Sequence, residues 1–476
     1  MFFFGFCKYE FYGYFVIIKV GDYQMNIIEG QKLKLNIRKQ GINGEGIGYY
    51  NRLAIFVPGA IRKEIAEVEI EKVYERYAVA KIIKLIRKSK KRVKPPCEYY
   101  QQCGNCDMQH IEYNEQLKIK QRILEQSFKR YTGIEDVKVK VSKTLNDGMD
   151  TGYSEYHEWL LRNTNFGLAM GYFKPMTNHF VYVENCLVQH KEVNQIAQLA
   201  LKLFRKYRLK AHDLRNKEGI LFNTIVRYFK DTDQASVVMI VKENHPKLEI
   251  IAEEMIDTFQ SIQSVGYTIY NPDSHKLMYH PVVLLAGHHK IKTHYHGLPL
   301  SISPDGSYPN HINVFERMDD LIVKETGLSD DDVVLNLYEN ATISSIFFAQ
   351  YAKKVYAIDY KDKAIKDALE NINQLQIPNI EVVEDHVEGV LPTILKQDKE
   401  ISMVILNAPK HGLSKTTIDL LNKYKLEQVI YISENPSTLA KDMAALMTVY
   451  RVRNIVPVDL YPQTARIDSI TILDRL

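Results

Sequence analysis

A multidomain α/β fold is predicted for this chain, and three observations predict it. At 476 residues the chain exceeds what one hydrophobic core serves, and domains of about 100–200 residues imply about three. Near the N-terminus, short alternating strands separated by glycines suit a small OB-like β-barrel. After about Val314, apolar strand candidates alternate with helical segments, as in a Rossmann-like, doubly wound parallel sheet. The expected division is a leader over 1–25, a barrel over 26–86, an α+β central domain with a cysteine loop over 87–314, and a Rossmann-like domain over 315–476.

The aromatic leader is broken by Lys8, Glu10 and Lys19. Its uncharged runs fall short of the roughly 18 residues a membrane helix needs, so neither a membrane nor a targeting role is expected. The barrel is read from Gln31 to Arg38, which alternates polar and apolar, from the glycines at 41, 44, 46 and 48, and from Leu53–Val57 before the Pro58-Gly59 turn. Tyr49, Tyr50 and Arg52 are placed to stack on and pair with a nucleic acid, or to be ordinary half-buried strand residues.

The formal charge is only +4, yet residues 81–94 (KIIKLIRKSKKRVK) hold eight Lys or Arg and no acid. Such a run is either a solvated linker or a phosphate contact, and Lys88, Lys90, Lys91 and Arg92 are its candidate contacts. Ile111 to Arg130 has helical spacing without Gly or Pro, and strands are expected at Asn223–Phe229 and Ala235–Val241. Further strands are expected at Val333–Leu335, Val355–Asp359, Glu381–Val383, Met403–Leu406 and Val429–Ser433, with helices over 362–375 and 415–424. Any ligand of such a sheet sits at the C-terminal ends of its strands.

Four of the five cysteines form one pattern. Cys97, Cys103 and Cys106 lie in a ten-residue stretch, Cys97-x5-Cys103-Gly104-x-Cys106, and Cys186 follows far downstream. Four thiolates are the ligand set of a [4Fe–4S] cluster. A four-thiolate zinc site or two disulfides are the alternatives. Thiols kept for metal imply a reducing compartment, so a cytoplasmic location is expected.

The cysteine pattern and the order of domains resemble the iron–sulfur subgroup of the RNA (uracil-5-)-methyltransferases, which carry an N-terminal TRAM barrel. The resemblance runs from about Asn26 to the C-terminus. It implies a class I methyltransferase domain binding S-adenosylmethionine, an rRNA or tRNA partner, a monomeric protein, and RNA-facing groups in the central domain, with Arg227 the candidate. By resemblance, Tyr338, Asp359 and Asp385 would lie at the cofactor.

At the chemistry the sequence departs from the family pattern. The cofactor loop Asp-Leu-Tyr-Cys-Gly-x-Gly reads Asn336-Leu337-Tyr338-Glu339-Asn340-Ala341-Thr342. The strand-end Asp-Pro-Pro-Arg reads Asn407-Ala408-Pro409-Lys410, and Pro309 stands near the usual uracil-recognising glutamine. Glu434 occupies the nucleophile position of Ser-Cys-Asn-Pro, and Asp468 the position of the base. Uracil C5 methylation begins when a thiolate adds to C6, and a carboxylate is a poor nucleophile for that step. The expectation is an RNA-binding family member without 5-methyluridine-forming activity. The alternative is an active S-adenosylmethionine-dependent methyltransferase on rRNA or tRNA with a rearranged site.

Overall fold

The computed structural model describes residues 27–132, 141–175, 177–213, 216–274, 276–339, 342–360 and 362–476. The expected leader, and Asn340 in the altered cofactor loop, lie outside the described residues. The chain divides into two compact units. One comprises residues 1–119, 171–183 and 463–465; the other comprises 120–170, 184–462 and 466–476.

The first unit contains the barrel, which has six strands where five were expected: β1 (Lys32–Asn36), β2 (Lys39–Gln40), β3 (Gly46–Tyr50), β4 (Leu53–Val57), β5 (Ile65–Val73) and β6 (Tyr77–Arg87), in the order β1-β5-β6-β4-β3-β2. The additional strand is β2, two residues paired with β3 and too short to leave an alternation in the sequence. Alternation sets the register elsewhere: Leu33 opposes Val68 and Leu35 opposes Ala66, and these side chains join Ile55, Val57 and Ala78 in one core. The cysteine loop belongs to this unit, because Val93 N–H donates to His110 O and Glu112 N–H to Lys91 O. Helix α1 (Tyr113–Tyr131) follows the loop at the expected place.

The central sheet is built from β7 (Tyr156–Thr164), β8 (Gly167–Phe173), β9 (Phe180–Tyr182), β10 (Leu221–Phe229), β11 (Gln234–Val241), β12 (Ile262–Ile269) and β13 (Val283–Gly287), in the order β13-β12-β11-β10-β7-β8-β9. Helix α2 (Lys191–Lys206) packs on this sheet, and α3 (Lys247–Thr258) links the parallel pair β11 and β12. A two-stranded ribbon, β14 (Ile291–Tyr295) with β15 (Leu298–Ile302), precedes the last sheet.

That sheet follows α4 (Ile312–Thr326). It comprises β16 (Val333–Leu337), β17 (Lys354–Asp359), β18 (Ile380–Glu384), β19 (Ile401–Asn407), β20 (Gln428–Ser433), β21 (Tyr450–Val458) and β22 (Asp468–Arg475), in the order β18-β17-β16-β19-β20-β22-β21. Its helices are α5 (Ile343–Phe348), α6 (Asp362–Gln374), α7 (Val387–Gln397), α8 (Lys415–Tyr424) and α9 (Pro436–Leu446). The five expected parallel strands are all present, and Val334, Ile405 and Ile430 are fully buried in their core. The strand order reverses between β16 and β19, which opens a crevice at their C-terminal ends. Two antiparallel strands, β22 and β21, extend the sheet and pair Ser469, next to Asp468, with Ser433 at the end of β20. Among the described residues, no helix is long and apolar enough to cross a membrane.

Candidate active site

The C-terminal ends of β16, β19, β20 and the start of β22 carry Asn336, Asn407, Glu434 and Asp468. Asn336 is fully buried, accepts from Asn407 Nδ2 at 3.2 Å, and donates through Nδ2 to Glu339 Oε2 at 2.7 Å and Ser345 Oγ at 3.0 Å. Glu339 turns its carboxylate onto the start of α5, accepting from Ser344 N–H at 2.7 Å, Ser345 N–H at 3.2 Å and the Ser345 hydroxyl. These donors satisfy the first amides of the helix and favour the anion. Burial opposes them and pushes the Glu339 carboxyl up to about 7. Behind it lies Asp319, buried and raised to about 8, which accepts from the Tyr295 hydroxyl.

Thr342 holds the conformation of the glycine it replaces, with φ of 57°, and its side chain is only 1% exposed. Left-handed backbone at a β-branched residue is strained. Tyr338 also has positive φ, and its hydroxyl donates to Glu388 Oε1 at 2.9 Å and lies 3.1 Å from Thr417 Oγ1. At the ends of the next two strands, Asp359 receives the Tyr360 N–H at 2.7 Å and Asp385 receives the His386 N–H at 2.6 Å. The Tyr360 and His386 rings stack at 4.8 Å between those two acids.

Glu434 is exposed at the end of β20, where Asn435 caps α9. Asp468 is half-buried, and its carboxyl is pushed up to about 7, first by burial and then by the negative charge of Glu434. Arg466 lies over the Tyr461 ring at 4.2 Å. Beneath this loop Lys120 donates to Asp459 at 2.5 Å and to Tyr461 O at 3.3 Å, with both ionic side chains 0% exposed. The sequence reading found Glu434, Asp468 and Asn407 but missed Glu339 and the Lys120–Asp459 pair. A carboxylate appearing three residues after a lost one was the available signal for Glu339. Nothing local marks a lysine that pairs with a residue more than 300 positions away.

Two expected RNA contacts are corrected. Arg92 closes the barrel: its guanidinium donates to Glu64 Oε1 and Oε2, each at 2.7 Å, and to Gly59 O at 2.6 Å, and Glu64 is 0% exposed. Arg227 is 7% exposed, donates to Gly306 O at 2.7 Å and lies over the Tyr156 ring at 4.9 Å. Arg227 is enclosed because β10 is covered on both faces, whereas Arg92 lies beyond the end of β6 and is drawn onto the buried Glu64. Lys91 is drawn onto Glu112 at 2.8 Å, whereas Lys88 and Lys90 are exposed.

Cys97, Cys103 and Cys106 are half-buried, and Cys186 is buried. Gly104 has φ of 75°, and a Cβ there would meet Pro175 Cγ at 2.2 Å, so the loop tolerates no side chain. Among the described residues, however, no three His, Cys, Asp or Glu come together as a metal site. Cys97, Cys103 and Cys106 fall in one compact unit and Cys186 in the other.

A family model for tRNA (uracil-5-)-methyltransferases matches residues 304–476, and a TRAM-domain model matches residues 28–83. An uncharacterized RNA methyltransferase of Listeria innocua is 31% identical over 454 residues, covering 95% of this chain and 99% of the relative. The chain belongs to the tRNA (uracil-5-)-methyltransferase family. An uncharacterized RNA methyltransferase of Halalkalibacterium halodurans is similar at 28% identity over 447 residues, 94% of this chain and 96% of that one. The fold is also that of the Pyrococcus abyssi tRNA (uracil-54, C5)-methyltransferase, solved in complex with S-adenosyl-L-homocysteine, with a TM-score of 0.70 at 22% identity over 92% of this chain and 99% of that chain.

The cofactor cleft of such a fold can be tested on these residues. The Glu339 and Thr342 side chains are buried rather than raised over the strand ends, and Asp359 and Asp385 stand beyond the second and third strands. Carboxylates at the strand ends of a doubly wound sheet are compatible with S-adenosylmethionine.

Proposed function

We propose that the protein is an S-adenosylmethionine-dependent RNA methyltransferase acting on rRNA or tRNA through a rearranged site that does not use addition to uracil C6. The observation that carries this reading is the similarity over nearly the whole chain to proteins named RNA methyltransferases, joined to a raised carboxyl at the strand ends. S-adenosylmethionine supplies an electrophilic methyl group. With Glu434 in the nucleophile position, the acceptor must be nucleophilic unaided, as a ring nitrogen, an exocyclic amine or a hydroxyl is. Asp359 and Asp385 would hold S-adenosylmethionine, and Asp468 would take the proton that the acceptor loses on methylation. A carboxyl held near 7 is poised for that transfer at neutral pH. Lys120 and Asp459 hold the loop that carries Tyr461 and Arg466.

Exposed Lys88 and Lys90 support RNA phosphate contact by the barrel's basic strand. The number and spacing of Cys97, Cys103, Cys106 and Cys186 support a [4Fe–4S] cluster. About four irons per anaerobically isolated chain would support that assignment, and stoichiometric zinc or no metal would sink it.

A second reading, RNA binding without methyl transfer, is favoured by Glu434 itself, which cannot act as the family's thiolate. Transfer of labelled methyl from S-adenosylmethionine to bulk rRNA or tRNA decides between them. Labelled RNA supports the enzyme; unlabelled RNA that nevertheless binds the protein supports the second reading.

A further inference from the structure

The hairpin of β7 and β8 ends in Asn165-Phe166, and Phe166 is 96% exposed. Isolated surface apolar residues are common, but a phenylalanine almost wholly in water, at a turn where polar residues are the default, leaves about 2 kcal/mol of burial energy unrealised. The mount is rigid. Thr164 Oγ1 accepts from Phe166 N–H at 3.2 Å and donates to Gly167 O at 2.8 Å, and Gly167 has φ of 99°. The stem is fastened on two sides. Asn163 exchanges a pair of hydrogen bonds with the Ala211 backbone at 2.8 and 3.0 Å, and Arg205 Nε donates to Leu168 O at 2.8 Å.

These fastenings place the hairpin that carries Phe166 beside the basic end of α2 and the segment that follows it. Arg205 sits at the stem, and exposed Arg208 lies three residues before Ala211, with backbone φ of 55°. Exposed Lys202 lies one helical turn before Arg205. An exposed aromatic face flanked by cations is the chemistry that takes an unpaired base and its phosphate: the ring stacks and the cations neutralise. A buried protein partner would be expected to meet an apolar patch rather than one ring among charges.

We propose that the β7–β8 tip, with Phe166 and the neighbouring Arg205 and Arg208, is a second RNA-binding surface that holds a single unpaired base. It rests on the reading that the protein binds RNA and adds a site remote in sequence from the barrel's basic strand.

The test uses the full chain, a fluorescein-labelled single-stranded RNA oligomer and a matching RNA duplex, with binding read by anisotropy across a salt series. Phe166→Ala should weaken single-strand binding about tenfold, leave the salt slope unchanged and leave duplex binding nearly untouched. Phe166→Trp should restore affinity, and its fluorescence should be quenched by the single strand. Arg208→Gln should lower the salt slope by about 0.7. Because Phe166 is exposed, the melting temperature of Phe166→Ala should match that of the parent, which removes misfolding as an explanation. Single-strand affinity unchanged in Phe166→Ala, with RNA still bound by the parent, overturns this surface and leaves the RNA reading standing. A parent chain that binds neither RNA overturns both.

Discussion

Asn336 and Asn407 carry amides beside Glu339, where the family pattern places acids. Three carboxylates there would repel one another in a dry pocket, whereas the two amides pass a chain of hydrogen bonds to the one that remains. Glu339 and Asp319 hold carboxyls raised to about 7 and about 8. A raised carboxyl binds its proton more tightly in the folded state, so its cost is absent below the unfolded value near 4.5 and grows as pH rises through 7. Denaturant unfolding of the parent should therefore show stability falling by about 1–3 kcal/mol between pH 5 and 8, and Glu339→Gln should flatten that fall. At Asp468 the same sign governs rate. Methyl transfer should rise with pH through about 7 as the base ionises, and Asp468→Asn should lower it about 100-fold or more in single-turnover assays with folding intact. Glu434, Asp468 and Asn407 were legible as departures from a pattern. Glu339 was not, since only its turn onto α5 shows that it replaces the lost acids.

The buried pair of Glu64 and Arg92 ties the end of the basic strand to the barrel. Removing one partner leaves the other charge buried and unmatched, so Arg92→Ala should destabilise the chain by about 3–5 kcal/mol in denaturant unfolding. Neutralising Lys88 and Lys90 together should leave stability within about 0.5 kcal/mol and lower the salt slope of RNA binding by about 1.4–1.8. The strands β16, β17, β19 and β20 were legible because they are continuous apolar runs, buried on both faces. Strands β7 to β9, β12 to β15, β21 and β22 were missed. In β7 the pattern YHEWLLRNT mixes polar and apolar without a clean period, and periodicity alone cannot read it. Arg227 was misplaced for a related reason, because nothing in the sequence tells that β10 is covered on both faces.

At the scale of the molecule, three domains were expected and two compact units are found, with the cysteine loop in the barrel's unit and most of the two larger sheets in the other. The order of elements was legible from periodicity, but the allocation of segments such as 171–183 and 463–465 depends on contacts far apart in sequence. On the function proposed above, this scaffold transfers a methyl group to RNA without addition at C6. The most direct measurement is incubation with labelled S-adenosylmethionine and rRNA or tRNA, followed by digestion and mass identification of the labelled nucleoside. The account expects a methylated nucleoside other than 5-methyluridine and no covalent complex with RNA containing 5-fluorouridine. Formation of 5-methyluridine, or RNA that is bound but never labelled, would contradict it.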